Sequence, residues 1–210
     1  MRRRVHRLMG GGRTVLWDSF TDVDGTPLSG HGSDGGGGYI GLPGSSGVIG
    51  IPTVSSGRLT SANVVESGFF LHTSRLRRRN GSVQAGIIRV ATLNASNIEI
   101  EFRVGPLGAF TQARDSVGAR YIGITAAWQI LSQSSGPQVG TNIAQTLTLN
   151  QVYQARLELR GPVILFWVDG VLTRQDQDVR TRRGTRAAIK MQNSDTNAPA
   201  LRADNWMVTR

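Results

Sequence analysis

A chain of 210 residues with 27 glycines, 6% aromatics and no cysteine is long enough to bury a full core, but it cannot be stapled by disulfides or hold a metal on thiolates. No apolar run reaches the ~18 residues of a membrane-spanning helix, and the first twelve residues carry charge with no hydrophobic segment behind it, so the expectation is a soluble product made inside the cell with no membrane partner. The net charge of +10 is local: thirteen of the 24 basic residues fall in three acid-free clusters, leaving 11 basic against 14 acidic residues elsewhere.

The first cluster, Arg2, Arg3, Arg4, Arg7 and Arg13, lies on a polar arm over residues 1–13 that contains Gly10, Gly11 and Gly12. Three consecutive glycines make a flexible joint, so the arm is expected to be separate from a single folded domain over 14–210. A first strand is expected at 14–20, turns at Asp24-Gly25 and Pro27, and a Gly/Ser-rich surface loop at 29–47. Short strands follow at 48–54 and 58–66, with Phe69, Phe70 and Leu71 continuing the apolar pattern. The second cluster, Arg75, Arg77, Arg78 and Arg79, leads into Asn80-Gly81, a strong hairpin signal that would set these arginines at a hairpin tip.

Strands are next expected at 84–91 and 98–103. In the second, alternation points Ile98, Ile100 and Phe102 inward and Glu99 and Glu101 to the opposite face. Segments 121–128 and 144–149 read as two more strands across a polar loop at 132–140. The clearest stretch is 152–173. Tyr153, Ala155, Leu157 and Leu159 alternate with Gln154, Arg156, Glu158 and Arg160; Gly161-Pro162 reverses the chain; Val163 to Val168 is β-branched and aromatic; and Asp169-Gly170 turns it again. Such a meander must bury its apolar face on another sheet. A basic turn at 181–184, with the third cluster Arg180, Arg182, Arg183 and Arg186, and strands at 187–191 and 201–208 close the chain. No segment sustains a 3.6 period, so the expected fold is an all-β, two-sheet antiparallel sandwich.

Trp17-Asp18-Ser19-Phe20 followed by Asp24-Gly25-Thr26, then Leu28 and His31, the core run Arg120 to Ile124, the hairpin ending Phe166 to Gly170 and the closing Ala203-Asp204-Asn205-Trp206 together resemble the concanavalin A-like lectin/glucanase superfamily. They are most similar to the laminin-G-like jelly rolls of bacterial and bacteriophage surface proteins. The resemblance implies a jelly roll with its first and last strands as neighbours. It also implies carbohydrate binding or virion attachment, loosely, because the fold hosts enzymes, lectins and structural modules alike.

Glycanases of this superfamily carry a Glu-x-Asp-x-x-Glu arrangement on one sheet face. Here Glu99-Ile100-Glu101-Phe102-Arg103 lacks the aspartate and the third acid. The pair therefore reads as a solvated strand face beside Arg103, and the chain as non-catalytic. His6, His31 and His72 stand apart with no second ligand at metal spacing, so no zinc site is expected. Asp18 and Asp204, on strands that should pair, read first as hydrogen-bonded strand-end residues; because members of the superfamily the chain resembles often bind calcium, they are also the candidate calcium ligands, and no other cofactor is expected. Tyr39, Trp128 and Trp206 are the candidate sugar platform.

The arginine clusters have no rings between them for base stacking, so nucleic acid is not an expected partner. Arg2, Arg3, Arg4, Arg7, Arg75, Arg77, Arg78 and Arg79 instead read as anchoring contacts to an acidic protein surface. The functional expectation is a virion structural or attachment protein of a bacteriophage or phage-like particle, made in the host cytoplasm, packed in a large assembly beside other virion proteins and able to meet host cell-surface glycans. The alternative is a carbohydrate-binding lectin outside a virion, with a glycoside hydrolase behind it.

Overall fold

The computed structural model describes residues 14–42, 51–61, 66–72, 74, 76, 80–105, 116–132, 137–178, 184–193 and 199–210. The arm, most of the arginine clusters and the turn at 181–183 lie outside the described residues. Those described form two antiparallel sheets and one 3-10 turn at Leu28–Gly30. Strands are numbered in chain order. The eight-stranded sheet runs β13 (Val171–Gln177), β12 (Val163–Val168), β11 (Val152–Arg160), β6 (Gly81–Arg89), β15 (Leu201–Thr209), β4 (Leu59–Thr60) and β3 (Thr53–Val54), with β1 (Thr14–Asp18) also paired to β15. The seven-stranded sheet runs β10 (Gln138–Ala144), β9 (Ala127–Leu131), β8 (Val117–Ile122), β7 (Ser96–Val104), β14 (Arg186–Asn193), β5 (Glu66–His72) and β2 (Tyr39–Leu42).

This is the two-sheet jelly-roll sandwich the sequence predicts, with the first and last strands paired. The central meander forms as read: β11 pairs β12 from Ala155↔Val168 to Arg160↔Val163, and β12 turns into β13 through Asp169 (φ 50°) and Gly170 (φ 80°). Two successive left-handed residues match the right-handed twist of the strands, which is why Asp-Gly is favoured there. Alternation then sorts the side chains. Tyr153, Ala155, Leu157 and Leu159 join Ile98, Ile100, Phe102, Tyr121, Trp128, Ile189 and Val208 in one core between the sheets.

Four elements differ from the sequence expectation. The surface loop expected at 29–47 contains β2, which pairs with β5 and buries Tyr39; glycine-rich flanks hide so short a strand. Asn80-Gly81 is no hairpin: β5 belongs to one sheet and β6 to the other, so this link crosses the sandwich. Asn80 Oδ1 accepts from Gly161 N–H (3.0 Å) and from Arg103 Nη2 (3.2 Å), fastening the crossover to the β11–β12 turn. Turn chemistry reports a bend, and it does not report which strands pair afterwards. The run 121–128 is two strands, with a turn at 123–126 whose Ile124 is exposed; unbroken apolarity hides that turn. The expected strand at 144–149 is displaced to β10, an edge strand whose side chains are mostly solvated and which therefore shows no hydrophobic period.

The free edges β10 and β13 are tied together by Arg174, which pairs with Asp176 (Nε–Oδ2 2.6 Å) and donates to Thr141 Oγ1 (3.0 Å). Phe166 marks the centre of the core: it is fully buried and tilted against Trp128 at 5.0 Å between centroids. Truncating it leaves a cavity as well as lost burial, so Phe166→Ala should cost about 3–5 kcal/mol. Val171, 67% exposed at the edge of the same sheet, should change stability by less than about 0.5 kcal/mol as Val171→Ser. Urea unfolding midpoints of the two variants check both.

Candidate functional site

β7 is the central strand of the seven-stranded sheet, and its period-2 alternation gives it two different faces. Ile98, Ile100 and Phe102 enter the core, which sends Glu99 and Glu101 to the outer face; Arg103, left-handed (φ 56°), breaks the alternation and reaches the β11–β12 turn of the other sheet. The neighbouring strands meet this face in register. Glu99 lies opposite Arg120 on β8 and Lys190 on β14, while Glu101 lies opposite Gly118 and Ala188. Arg120 in turn faces Gln129 on β9. Its Nη2 donates to Gln129 Oε1 (2.7 Å), and Gln129 Nε2 donates to Asn142 Oδ1 on β10 (3.1 Å). The result is a polar row, Asn142, Gln129, Arg120, Glu99 and Lys190, crossing five strands.

The carboxylates do not form a solvated face. Glu99 is 1% exposed and Glu101 0%, which corrects the sequence expectation. Arg103 is also buried; its Nη2 donates to Gly161 O (2.7 Å). Both oxygens of Glu99 are buried without a hydrogen-bond donor among the described residues. Its carboxyl rests on the backbone of Gly118, where a Cβ would stand 2.5 Å from Glu99 Oε1, so glycine at 118 is what makes room for it. Burial, and after it the charge of Glu101, pushes the Glu99 carboxyl up to about 8; Lys190 and Arg120 pull the other way without prevailing. A carboxyl in this state holds its proton at neutral pH beside a second carboxyl, the condition that separates an acid from its partner in paired-carboxylate chemistry. Strand alternation shows the pair in the sequence, whereas Lys190, Arg120 and Gln129 come into play only through cross-strand register.

Asp18 lies elsewhere. It faces the interior from β1 and accepts from Phe20 N–H (2.8 Å), Tyr39 O–H (2.8 Å) and His31 Nε2 (2.8 Å). The other ring nitrogen of His31 meets Asp22 Oδ2 at 2.6 Å. Held mainly by the Asp18 hydrogen bond, against the pull of burial, His31 is raised to about 9 and is an imidazolium between two carboxylates. The clasp also secures Phe20 in a left-handed conformation (φ 52°), which non-glycine residues adopt only at a cost. His72, which burial lowers to about 4, packs stacked on Trp206 at 5.5 Å.

The structure does not bring Asp18 and Asp204 together. Asp18 is aligned with Trp206, which is in the core. Asp204 alternates with the core residues Ala203 and Trp206 toward the outer side, where Arg58 Nε lies 4.0 Å from its Oδ2. Among the described residues, no group of three or more His, Cys, Asp or Glu could hold a metal ion. The sugar-platform candidates are also misplaced. Tyr39, Trp128 and Trp206 are all core residues. Trp128 is wedged between Tyr121 and Phe166 with its Nε1–H given to Gln145 Oε1. Rings covered on both faces cannot stack on a sugar. Arg2, Arg3, Arg4, Arg7, Arg75, Arg77, Arg78 and Arg79 lie outside the described residues.

The two titrating sites give stability effects whose signs can be worked out. His31 moves from 6.5 to about 9 on folding, so its contribution is complete below about pH 6.5 and is lost as pH rises through 9. The unfolding free energy should therefore fall from pH 7 to 9.5, and the fall should be shallower in Asp18→Asn, which is less stable at pH 7. Glu99 moves from 4.5 to about 8, so the protonated form favours folding below pH 4.5 and that advantage is lost as pH rises through 8. Glu99→Gln should match wild type in melting temperature near pH 4.5 and exceed it increasingly toward pH 8.5. Thermal melts across this range check both.

No protein-family model matches the sequence, and no curated protein matches it. Solved structures do match over nearly the whole chain. The laminarinase from Rhodothermus marinus has a TM-score of 0.63 at 12% identity, with 96% of this chain and 99% of that one covered. The Bacillus licheniformis beta-glucanase has 0.63 at 10% identity over 95% and 99%, and the carbohydrate binding module CBM66 from Bacillus subtilis 0.53 at 10% over 93% and 94%. The fold is therefore the concanavalin A-like jelly roll shared by glucan hydrolases and carbohydrate-binding modules. The expectation of a non-catalytic chain does not stand: the whole fold is one that glucanases use, and the supposed solvated pair is a buried, perturbed pair on the central strand.

Proposed function

We propose that this protein is carbohydrate-directed and that the outer face of its seven-stranded sheet is the glycan site. The observation that carries this is the polar row Asn142, Gln129, Arg120, Glu99 and Lys190, laid across five strands with the Glu99–Glu101 pair at its centre. Likeness of fold to a carbohydrate-binding module and to glucanases supports the reading. Binding comes first, because the partly exposed members of the row are what a bound chain would touch, whereas Glu99 and Glu101 are closed off from solvent. Carried on a virion by the basic arm, the same face would meet host glycans.

A second reading, hydrolysis, is favoured by the pair itself. Residues two apart on a strand are about 6.6 Å apart at Cα, and a retaining glycosidase holds its two carboxyl groups about 5–5.5 Å apart. In that reaction Glu99, protonated at neutral pH, gives its proton to the glycosidic oxygen, and Glu101 as carboxylate attacks the anomeric carbon; water then releases the sugar with Glu99 acting as base. A panel of soluble glycans titrated into wild type, Glu99→Gln and Glu101→Gln, with reducing ends assayed in parallel, separates the readings. Binding by all three with reducing ends from wild type alone establishes hydrolysis, with activity falling above pH 8 as Glu99 loses its proton. Binding without reducing ends establishes a lectin. No binding by any glycan in the panel, by calorimetry or by chemical-shift change on β7, β8 and β14, overturns the proposal.

A further inference from the structure

We propose that Asn80 is a site of self-modification, where the side-chain amide is lost to attack by the backbone nitrogen of Gly81 and a carboxylate takes over the fastening of the crossover. Asn80-Gly81 is the only Asn-Gly pair in the sequence. A glycine nitrogen reaches the amide carbon of a preceding asparagine with the least hindrance, because no side chain stands over it. Position 81 can hold nothing else. Gly81 lies against the last strand with φ 151°, and a Cβ there would collide with Thr209 O and stand 3.3 Å from Phe102 Cζ. Packing therefore imposes the reactive pair on the chain.

The surroundings of Asn80 suit the reaction. Its side chain is held by the oxygen, which accepts from Gly161 N–H (3.0 Å) and Arg103 Nη2 (3.2 Å), while its Nδ2 makes no hydrogen bond among the described residues. Two donors on a carbonyl oxygen, one of them cationic, stabilise the negative charge that forms there when the carbon is attacked. Arg103 is set in place by its own bond to Gly161 O (2.7 Å). Asn80 is exposed, so water can enter and ammonia can leave.

Water is the one co-reactant. Gly81 N gives its proton to hydroxide and bonds to Asn80 Cγ; the Cγ–Nδ2 bond breaks, and the amide nitrogen takes a proton from water and leaves as ammonia. The product is a five-membered succinimide ring, closed within the chain. Water then adds to one of the two ring carbonyls. Breaking the new Cγ–N bond restores an ordinary main chain with aspartate at position 80. Breaking the original peptide bond instead routes the chain through Cγ and lengthens it by one methylene, for which Gly81, wedged on Thr209 and Phe102, has no room. The folded protein thus favours aspartate. Its carboxylate accepts from the same two donors, and the bond to Arg103 becomes an ion pair. That bond is already made in the amide form, so no other partner of Arg103 has to be displaced.

The test incubates the full chain in mildly alkaline buffer and follows each asparagine by peptide mapping and mass spectrometry, with isoaspartate counted by enzymatic methylation. Wild type unfolded in urea is the reference. Folded wild type should lose the Asn80 amide at least tenfold faster than the amides of Asn94, Asn142 and Asn150, and should yield mainly aspartate where the unfolded chain yields mainly isoaspartate. Arg103→Gln should slow the loss. At neutral pH, Asn80→Asp should melt higher than wild type and Asn80→Ala lower; both leave the core intact, so they decide the matter should Arg103→Gln fail to fold. Retention of the Asn80 amide in the folded chain overturns the proposal. So does a folded product that is mainly isoaspartate, a folded Arg103→Gln that reacts as fast as wild type, or an Asn80→Asp protein no more stable than wild type.

Discussion

The alternation of β7 is the constraint on which the rest of the molecule depends. Its inward set, Ile98, Ile100 and Phe102, lies in the middle of the core, and a shift of one residue would put Glu99 and Glu101 there instead. That error would trade the apolar packing between the sheets for two carboxyls, so the register is fixed by which face of the strand is apolar. The same fixing aligns Arg120 and Lys190 with Glu99 and leaves Gly118 to accommodate its carboxyl. Core and candidate site are two faces of one strand, and neither can be moved without the other.

Two buried acids side by side work against folding at neutral pH. Two features offset them from elsewhere. The core contains Phe166, Trp128, Tyr121 and Phe102 with almost no exposure, and burying large side chains contributes about 1.5–3 kcal/mol each. Asp18, His31 and Asp22 form a charged, hydrogen-bonded clasp that ties the first strand to the loop after it. The clasp is what satisfied buried charge looks like, with every strong donor matched to an acceptor. Glu99 is the opposite case, a carboxyl whose oxygens meet no N–H or hydroxyl donor among the described residues, only the carboxyl of Glu101. A fold that satisfies one buried carboxylate fully and keeps a second acid protonated against another carboxyl does so at a cost in stability, and sites of chemistry or binding are where such perturbed groups concentrate.

What the sequence makes legible follows from how local each signal is. The meander from Val152 to Gln177 is encoded by neighbours: alternation, Gly161-Pro162 and Asp169-Gly170 all act within a few residues, and the strands form where expected. The two-sheet class follows from it. Asn80-Gly81 is equally local, but whether it joins partners or crosses between sheets depends on strands far away in the chain, and there the expectation fails. Glu99 and Glu101 are visible as a same-face pair, yet their burial is not, because what lies over a strand is not written in that strand. Trp128 and Trp206 are misassigned for a related reason: large rings serve equally as sugar platforms or as core filler, and a chain with 6% aromatics needs its few rings inside.

That last point bears on how the outer face of the seven-stranded sheet would recognise the glycan proposed for it. Among residues whose side chains are described, none on the outer face of the seven-stranded sheet is aromatic. The half-buried Trp167 belongs to the other sheet, with the Arg156 guanidinium 5.2 Å from its ring centre. Stacking on a sugar ring tolerates many sugars, because each presents an apolar face. Hydrogen bonds and charge do not, since a wrong partner leaves a buried polar group unmatched at about 1–3 kcal/mol. On the proposed reading, a glycan site built from Asn142, Gln129, Arg120, Glu99 and Lys190 would discriminate by the positions of oxygens and charges on its ligand, and each partly buried member of the row would make a mismatch more costly.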